Sequence, residues 1–280
     1  MTFDLPASEP LVRMGSFLAV FAVMALWEAL APRRAGAFRR SERWPDNLGL
    51  LVVDVAVLRL VAPGAAVAVA VVGEARGWGL LNTLALPPWV AVPVALAALD
   101  LAIYFQHVVF HAVPALWRLH RTHHSDLDFD VTTGLRFHPL EILLSTVVKC
   151  AAVAALGAPA MAVLAFEVLL NATAVFNHAN VRLSARLDRW LRWFVVTPDM
   201  HRVHHSVVHN ESSSNYGFNL PYWDRLFGTY RAQPAAGHVA MTIGVDAFRS
   251  PDELRLDRLL AQPFRDTPGG YPINLREEAP

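Results

Sequence analysis

The sequence predicts an all-α integral-membrane protein, in which a helical bundle of four or five membrane-embedded helices carries a histidine-rich helical cap on its cytoplasmic side. Three observations predict this fold. Hydrophobic residues make up 54% of the 280 residues and charged residues only 17%, against roughly 25% charged in a typical soluble domain. Apolar runs of membrane-spanning length recur along the chain. Most of the twelve histidines stand in short clusters near the ends of those runs.

Five apolar runs are the predicted membrane helices. Each is close to the roughly 20 residues that an α-helix needs to cross about 30 Å of hydrocarbon. We expect the last two runs to form a membrane hairpin over 140–177 that crosses only in part, since Lys149 and Glu167 lie inside it. Pro87, Pro88 and Pro93 are expected to bend the third run. The runs cover residues 15–31, 48–72, 80–105, 140–156 and 159–176.

The distribution of arginine predicts the orientation in the membrane. Five arginines lie between the first two runs, and such a cluster is typical of a cytoplasmic loop. If successive helices cross the membrane in alternating directions from that loop, the histidine clusters lie on the cytoplasmic side. We therefore expect a multi-pass protein of a bacterial inner membrane or an ER-type membrane. The arginines are Arg33, Arg34, Arg39, Arg40 and Arg43.

The chain divides into three predicted parts. Transmembrane helices occupy 1–100, and a histidine-bearing domain that includes the hairpin occupies 101–235. The tail at 236–280 is expected to be irregular, because it is rich in turn residues such as Pro263, Pro268, Gly269 and Gly270. Between 182 and 193 arginines alternate with leucine and tryptophan, which indicates either an amphipathic helix at the membrane surface or an ordinary packed helix.

Composition and motifs exclude several classes of function. Lys+Arg and Asp+Glu are equal at 24 each, so no net charge attracts nucleic acid, and we expect no nucleic-acid partner. The single cysteine, Cys150, excludes an intrachain disulfide framework and a cysteine-rich zinc or iron–sulfur site. The sequence also contains no GxSxG, HExxH or P-loop motif.

Eight histidines form three clusters with the spacing of metal ligands. One cluster is HxxxH and two are HxxHH, and residues three and four apart share one face of a helix. Neutral imidazole is a good ligand for iron, zinc, copper or nickel. One metal takes about four to six ligands, so eight clustered histidines predict two metals. The clusters are His107 and His111; His120, His123 and His124; and His201, His204 and His205.

The other four histidines carry different predictions. His178 ends the fifth run on the same side as the clusters, and we expect it to be a ninth ligand. For His138 three roles remain open: a metal ligand, a hydrogen-bond partner of a ligand, or a structural residue. His209 and His238 have no partner at ligand spacing and are expected to be solvated.

Carboxylates are not predicted to be the metal ligands. Glu141 and Glu167 are too scattered for the carboxylate cage of a ferritin-like bundle, which requires Glu-x-x-His pairs. An all-nitrogen site is indicated instead. Asp100 recurs at helical spacing with Tyr104 and the HxxxH pair, and it therefore faces the same way as those histidines.

The clusters and the residues around them resemble the fatty acid hydroxylase / sterol desaturase superfamily of integral-membrane di-iron oxygenases. The order HxxxH, HxxHH, single histidine, HxxHH is similar to that of the family, and the similarity is strong over about 100–230. One position departs from the pattern, since Val108 stands where members often carry arginine. The matching segments are LWRLHRTHHSD at 116–126, LRFHPLE at 135–141, TPDMHRVHHS at 197–206, NYG at 215–217 and WDRLFGT at 223–229.

The resemblance implies a function for the histidine-bearing domain. Two iron ions would bind and activate O2 as co-substrate, and an unactivated C–H bond of a sterol, fatty acid or related lipid would be hydroxylated or desaturated, with hydroxylation favoured. Electrons would come from a separate donor protein of the cytochrome b5 or ferredoxin type with its reductase, since the chain contains no His-Pro-Gly-Gly haem-binding core. Asp100 and Asn180 are the candidates for orienting ligands or holding a bound water. The implied ligands are His107, His111, His120, His123, His124, His178, His201, His204 and His205.

Two alternative functions rest on the same histidines. A metal transporter would distribute its ligands along a path through the membrane, whereas these clusters stand at the ends of the apolar runs. A membrane zinc-dependent hydrolase needs about three ligands and a general base, and nine histidines exceed that number.

Overall fold

Long helices form the first part of the chain and the membrane hairpin. The computed structural model describes residues 9–266, and these residues contain helices, two isolated β-bridges and no strand. Five of the described segments are long and apolar enough to cross a membrane, which confirms the all-α bundle that the apolar runs predict. The first eight helices are α1 (Glu9–Leu30), α2 (Arg40–Val61), α3 (Ala65–Arg76), α4 (Leu80–Thr83), α5 (Pro88–Ala112), α6 (Pro114–His124), α7 (Pro139–Leu156) and α8 (Ala160–Asn177).

Two of the predicted helices are interrupted at proline and glycine. The run at 48–72 is divided between α2 and α3, because Pro63 lacks a backbone N–H and Gly64 takes a left-handed φ of +63°. The run at 80–105 contains the short α4 and then begins again at Pro88, since proline fits the first turn of a helix. Pro93, in contrast, lies inside α5, which continues to Ala112.

The hairpin of α7 and α8 neutralises its internal charges by pairing them. Lys149 on α7 and Glu167 on α8 form an ion pair at 2.7 Å, and Arg13 of α1 lies 2.7 Å from the other Glu167 oxygen. Ionisable groups within a membrane segment are costly unless they are paired in this way. The turn between the helices is tight, with Gly157 in a left-handed conformation at φ +64° against the carbonyl of Trp78.

Helices α3, α5, α7 and α8 share one apolar core. Small side chains such as Ala95 and Ala162 alternate in it with larger ones such as Leu99 and Phe166, and small residues allow membrane helices to approach each other closely. Because this core fixes α5 against α8, it also fixes where the cap ends of these two helices lie relative to each other.

The cap consists of short helices connected by polar loops. The C-terminal part differs from the irregular tail expected at 236–280, because residues up to 264 include short helices and pack against α6. Arg118 and Arg121 of α6 donate hydrogen bonds to the carbonyl oxygens of Pro263 and Gln262 at 2.6 Å. The expectation for Pro268, Gly269 and Gly270 lies outside the described residues. The cap helices are α9 (Ala185–Leu191), α10 (Pro198–His204), α11 (His209–Ser212), α12 (Tyr222–Leu226), α13 (Gly237–Ala240) and α14 (Leu256–Ala261).

The arginine-rich segment at 182–193 contains an amphipathic helix. Trp190 of α9 is 57% exposed, and Trp193 and Phe194 directly after it are 54% and 55% exposed. A helix packed on the domain by its apolar face would cover these rings. Their exposure therefore favours the membrane-surface alternative, since tryptophan is enriched at the interface between lipid and water.

Candidate metal centre

The three histidine clusters lie on helices that begin with proline. Pro88, Pro114 and Pro198 occupy the first turn of α5, α6 and α10, where their fixed φ suits a helix start. The HxxxH pair lies near the end of α5, and each HxxHH cluster lies at the end of α6 or α10. His178 directly follows α8 and His205 directly follows α10. Helix ends from four different parts of the chain therefore meet at one place.

The nine predicted ligands come together in two buried groups. In each group the ligand atoms all lie within 4.8 Å of one another, and none of the nine side chains is more than 3% exposed. Each HxxHH cluster is divided between the groups: its first and last histidines join one group and its middle histidine joins the other. The five-histidine group is His107, His111, His120, His124 and His204, and the four-histidine group is His123, His178, His201 and His205.

Hydrogen bonds to backbone carbonyls orient the imidazole lone pairs. The Nδ1 atom of His107 lies 2.7 Å from the Tyr216 oxygen, and that of His204 lies 2.7 Å from the Ser214 oxygen. A carbonyl oxygen can only accept, so Nδ1 donates in both rings and Nε2 keeps its lone pair. Those two Nε2 atoms are nevertheless 3.0 Å apart. Two lone pairs that face each other at this distance repel, and a cation between them removes the repulsion.

In the four-histidine group, the His178 ring is oriented in the same way, with Nδ1 donating and the Nε2 lone pair free. Its Nδ1 donates to the Ala174 carbonyl at 2.7 Å, and its Nε2 lies 3.2 Å from Nε2 of His123 and 3.0 Å from Nε2 of His201. A metal bonded to two imidazole nitrogens at about 2.1 Å and at right angles separates them by about 3.0 Å. The spacing in both groups therefore fits a metal ion, and the residues present form an all-nitrogen donor set.

Burial keeps the imidazoles neutral, which is the form that binds a metal. Burial lowers the pKa of His178 to about 4 and the pKa of His120 to about 3. Burial and then the neighbouring histidines hold the pKa of each remaining histidine of the cap groups well below its usual value. These histidines are His123, His124, His201, His204 and His205.

Glu141 is a neighbour of the centre that the sequence reasoning missed. Its Oε1 atom lies 2.6 Å from Nδ1 of His120, and both side chains are buried. A carboxylate that accepts from a ligating imidazole fixes the ring and raises its basicity. The signal was present in the sequence, because Glu141 lies in the first turn of a membrane helix, where an ionisable residue is by default a functional candidate.

Comparisons with known proteins agree with this geometry. A family model described as fatty acid hydroxylase matches residues 92–229. The chain is 30% identical over 224 residues to the ornithine lipid hydroxylase OlsE of Rhizobium tropici, which covers 78% of this chain and 66% of the relative. The chain belongs to the fatty acid hydroxylase family.

Other members of the fatty acid hydroxylase family are similar over shorter segments. Human alkylglycerol monooxygenase is 29% identical over 183 residues, 63% of this chain and 39% of that protein. Rat cholesterol 25-hydroxylase is 25% identical over 146 residues, 51% of this chain and 47% of that protein. The chain thus spans less than two thirds of the length of each of these relatives. No solved structure matches it.

Helix α2, which precedes the region matched by the family model, supports the second histidine cluster. The buried Arg43 of α2 donates to both carboxylate oxygens of Asp126, two residues after His124. Arg43 also donates to Asp130 at 2.7 Å. Nothing near Arg43 in the sequence signals this role, since its partner lies 83 residues away.

Asp100 and Asn180 contact backbone and side chains next to the centre. The Asp100 carboxylate accepts hydrogen bonds from Asn219, Leu220 and Trp223, at distances of 2.8–3.2 Å. The Asn180 side chain exchanges hydrogen bonds with the backbone of Arg34. Among the described residues, these two side chains bond to loop residues and to Trp223 of α12, and not to a histidine. Asp100 acts on the loop that also carries Tyr216, the hydrogen-bond partner of His107.

The three remaining histidines lie outside both groups. His138 accepts from the Leu140 N–H through Nδ1 and donates to the Leu260 carbonyl through Nε2, so both ring nitrogens are used and the structural role fits. The expectation that His238 is solvated is wrong, because its side chain is buried beside Asp199 at 3.6 Å. His209 is half-buried at the start of α11.

Proposed function

We propose that this protein is a membrane-bound di-iron oxygenase that uses O2 and external electrons to hydroxylate an unactivated C–H bond of a lipid. The observation that carries the proposal is the convergence of oriented imidazole lone pairs in two adjacent buried groups. Relatives named as hydroxylases of ornithine lipid and cholesterol support a lipid substrate and favour hydroxylation over desaturation.

The five-histidine group would hold one iron and the four-histidine group the other. The bound iron would supply what no side chain can, namely activation of O2 and removal of hydrogen from an unactivated C–H bond. The protein contributes the rest. The carbonyl of Tyr216 and the carboxylate of Glu141 hold their imidazoles in the ligating orientation, and the buried surroundings exclude water from the centre.

The position of the centre supports a substrate that arrives from the bilayer. Its histidines lie at the ends of α5, α6, α8 and α10, and two of these helices are membrane-spanning candidates. We infer that the cap faces the cytoplasm, because the arginine-rich loop predicted to be cytoplasmic packs on it. Arg33 and Arg34 of that loop bind Asp199 and the Met241 carbonyl of the cap. A separate electron-donor protein would then dock from the cytoplasm.

The proposal is tested with full-length protein in lipid nanodiscs, supplied with ferrous iron, a reductase system, isotopically labelled O2 and a panel of lipids. We expect labelled oxygen in a lipid alcohol from the wild type and from His209→Ala, and none from His204→Ala. An iron-replete protein that oxidises no lipid in the panel would contradict the proposal. Hydrolysis of a lipid by the zinc form would instead support the zinc-hydrolase alternative.

A further inference from the structure

Among residues 9–266, six aromatic side chains make ring contacts with the nine histidines, and two of the six differ from the rest in exposure. Four of the six rings are buried, so they shield the histidines that they contact from solvent and lipid. Phe137 and Phe218 are partly exposed. All nine histidines are buried, so among these six rings Phe137 and Phe218 are the two that a molecule outside the protein can contact. The buried four are Phe110, Trp117, Phe129 and Tyr216.

The same two phenylalanines are distinguished by which histidines they contact. The Phe218 ring lies 5.0 Å from His107 of the five-histidine group and 6.1 Å from His201 of the four-histidine group. The Phe137 ring stacks on His123 at 4.4 Å and lies 6.4 Å from His120. Each ring thus touches both groups.

The contacts of the four buried rings, in contrast, stay within a single group. Of the nine histidines, Phe129 makes ring contacts with His178 and His205, both in the four-histidine group. The histidines in ring contact with Tyr216 are His107, His111 and His204, all in the five-histidine group. Phe137 and Phe218 are therefore the two rings that are partly exposed and also the two that contact both histidine groups. These two properties are independent of each other.

Phe137 and Phe218 lie next to helices that are membrane-spanning candidates. Phe218 packs against the apolar core of α3, α5, α7 and α8, and its carbonyl accepts a hydrogen bond from Asn177, the last residue of α8. Phe137 stands two residues before α7 begins at Pro139. Phe218 thus connects the apolar core of the bundle to the histidines.

We propose that a saturated alkyl chain of the lipid substrate reaches the metals past Phe137 and Phe218, and that the size of Phe218 determines which carbon is presented. This inference rests on the proposed function. Phenyl rings suit the role, because they contact methylene groups by dispersion and offer no polar group that a hydrocarbon would leave unpaired. A ring fixed against both groups also limits how far a chain can slide.

The test uses full-length protein in nanodiscs with a phospholipid that carries a diazirine near the end of one acyl chain. After irradiation, adducts are mapped by mass spectrometry. We expect adducts on the peptides that contain Phe137 and Phe218. In Phe218→Trp these adducts should decrease by about tenfold or more, because the ring is larger by more than one carbon and a misfit of one methylene in an apolar pocket already costs about tenfold. Adducts confined to outward-facing helix surfaces, or unchanged in Phe218→Trp, would overturn the inference.

A second measurement follows the position of oxygen in the product. Phe218→Ala should shift the ratio of positional isomers, or the preferred chain length, by about tenfold, and Phe218→Leu by less. Phe129→Leu is the control. Phe129 also packs against two of the histidines, but its ring is buried, so the product ratio of this variant should equal that of the wild type. If the wild type oxidises no lipid, the proposed function fails, but the labelling experiment still decides whether an alkyl chain reaches these rings.

Discussion

The Arg43 guanidinium and the Asp126 carboxylate form a two-point ion pair inside the protein, with Nε–Oδ1 at 2.9 Å and Nη2–Oδ2 at 2.6 Å. The side chains are 2% and 0% exposed. Paired N–H donors match the geometry of a carboxylate, so this contact fixes position as well as charge. It connects α2 to the loop that follows the second histidine cluster, and the cluster therefore depends on a helix far away in the sequence.

Arg43→Ala is expected to destabilise the protein strongly. The substitution leaves the buried Asp126 carboxylate without its main partner, and breaking a buried pair from one side costs about 3–5 kcal/mol. Thermal unfolding in detergent measures the loss. Arg255→Ala is the matched control, because its pair with Asp257 is solvent-exposed, and it should leave the unfolding temperature unchanged. Equal unfolding temperatures for the two variants would show that the Arg43 pair does not stabilise the fold.

The division of each HxxHH cluster between the two groups predicts separable metal losses. His204 belongs to the five-histidine group and His201 to the four-histidine group. We expect His204→Ala and His201→Ala each to retain about one of two irons per chain, and the double variant to retain none, as measured by mass spectrometry of metal content. His138→Asn, which keeps the helix cap, should retain both. Complete loss in either single variant would mean that the two groups do not bind metal independently.

That these histidines lie close together could be predicted from the sequence, because the spacing within each cluster is local. Residues three and four apart on a helix share a face whatever the rest of the fold does, and this places His120, His123 and His124 together. How each cluster divides between two groups was not predictable, since it depends on how α6 and α10 face each other. The contact between Glu141 and His120 was not predictable either, because the two residues are 21 positions apart and lie on different helices.

The contacts that hold the histidine-bearing segments in place join distant parts of the chain, and no sequence pattern predicted them. The partners Arg43 and Asp126 are separated by 83 residues, and Asp100 binds a loop more than a hundred residues later. Helical phase placed Asp100 on the correct face, but it could not identify the loop that packs there. A disruption of the third apolar run by Pro87 and Pro88 was predicted, because proline acts on its own turn of helix. The break of the second run at Pro63 and Gly64 was not predicted.

Glu141→Gln should weaken metal binding without unfolding the bundle. Glutamine keeps the shape of the side chain but removes the carboxylate that lies 2.6 Å from Nδ1 of His120. Loss of such a partner typically reduces metal affinity or activity by about 10–100-fold. Competition with a chelator measures the change. Glu167→Gln is the control, because it also removes a carboxylate from the hairpin, where the partners are Lys149 and Arg13 and not a histidine. If both variants lose metal equally, the effect of Glu141 is general destabilisation.

Gly157→Ala is expected to open the turn between α7 and α8. A Cβ atom at this position would lie 2.2 Å from the Trp78 carbonyl oxygen, which no real contact allows, so the hairpin and the loop at 78–79 must separate. Gly64→Ala measures the cost of the left-handed backbone without a steric clash. Gly64 has nearly the same φ of +63°, but no atom lies within 4 Å of its Cβ position. That control should cost about 1 kcal/mol for the left-handed backbone alone.

The difference between the two glycine variants measures the close packing of the hairpin. Thermal unfolding should show a clearly larger decrease for Gly157→Ala than for Gly64→Ala. Because α8 leads directly into His178, a displaced hairpin should also reduce the iron held by the four-histidine group more than that held by the five-histidine group. Equal decreases in stability for both variants would mean that only the backbone conformation matters, and that the contact with Trp78 contributes nothing to the position of α8.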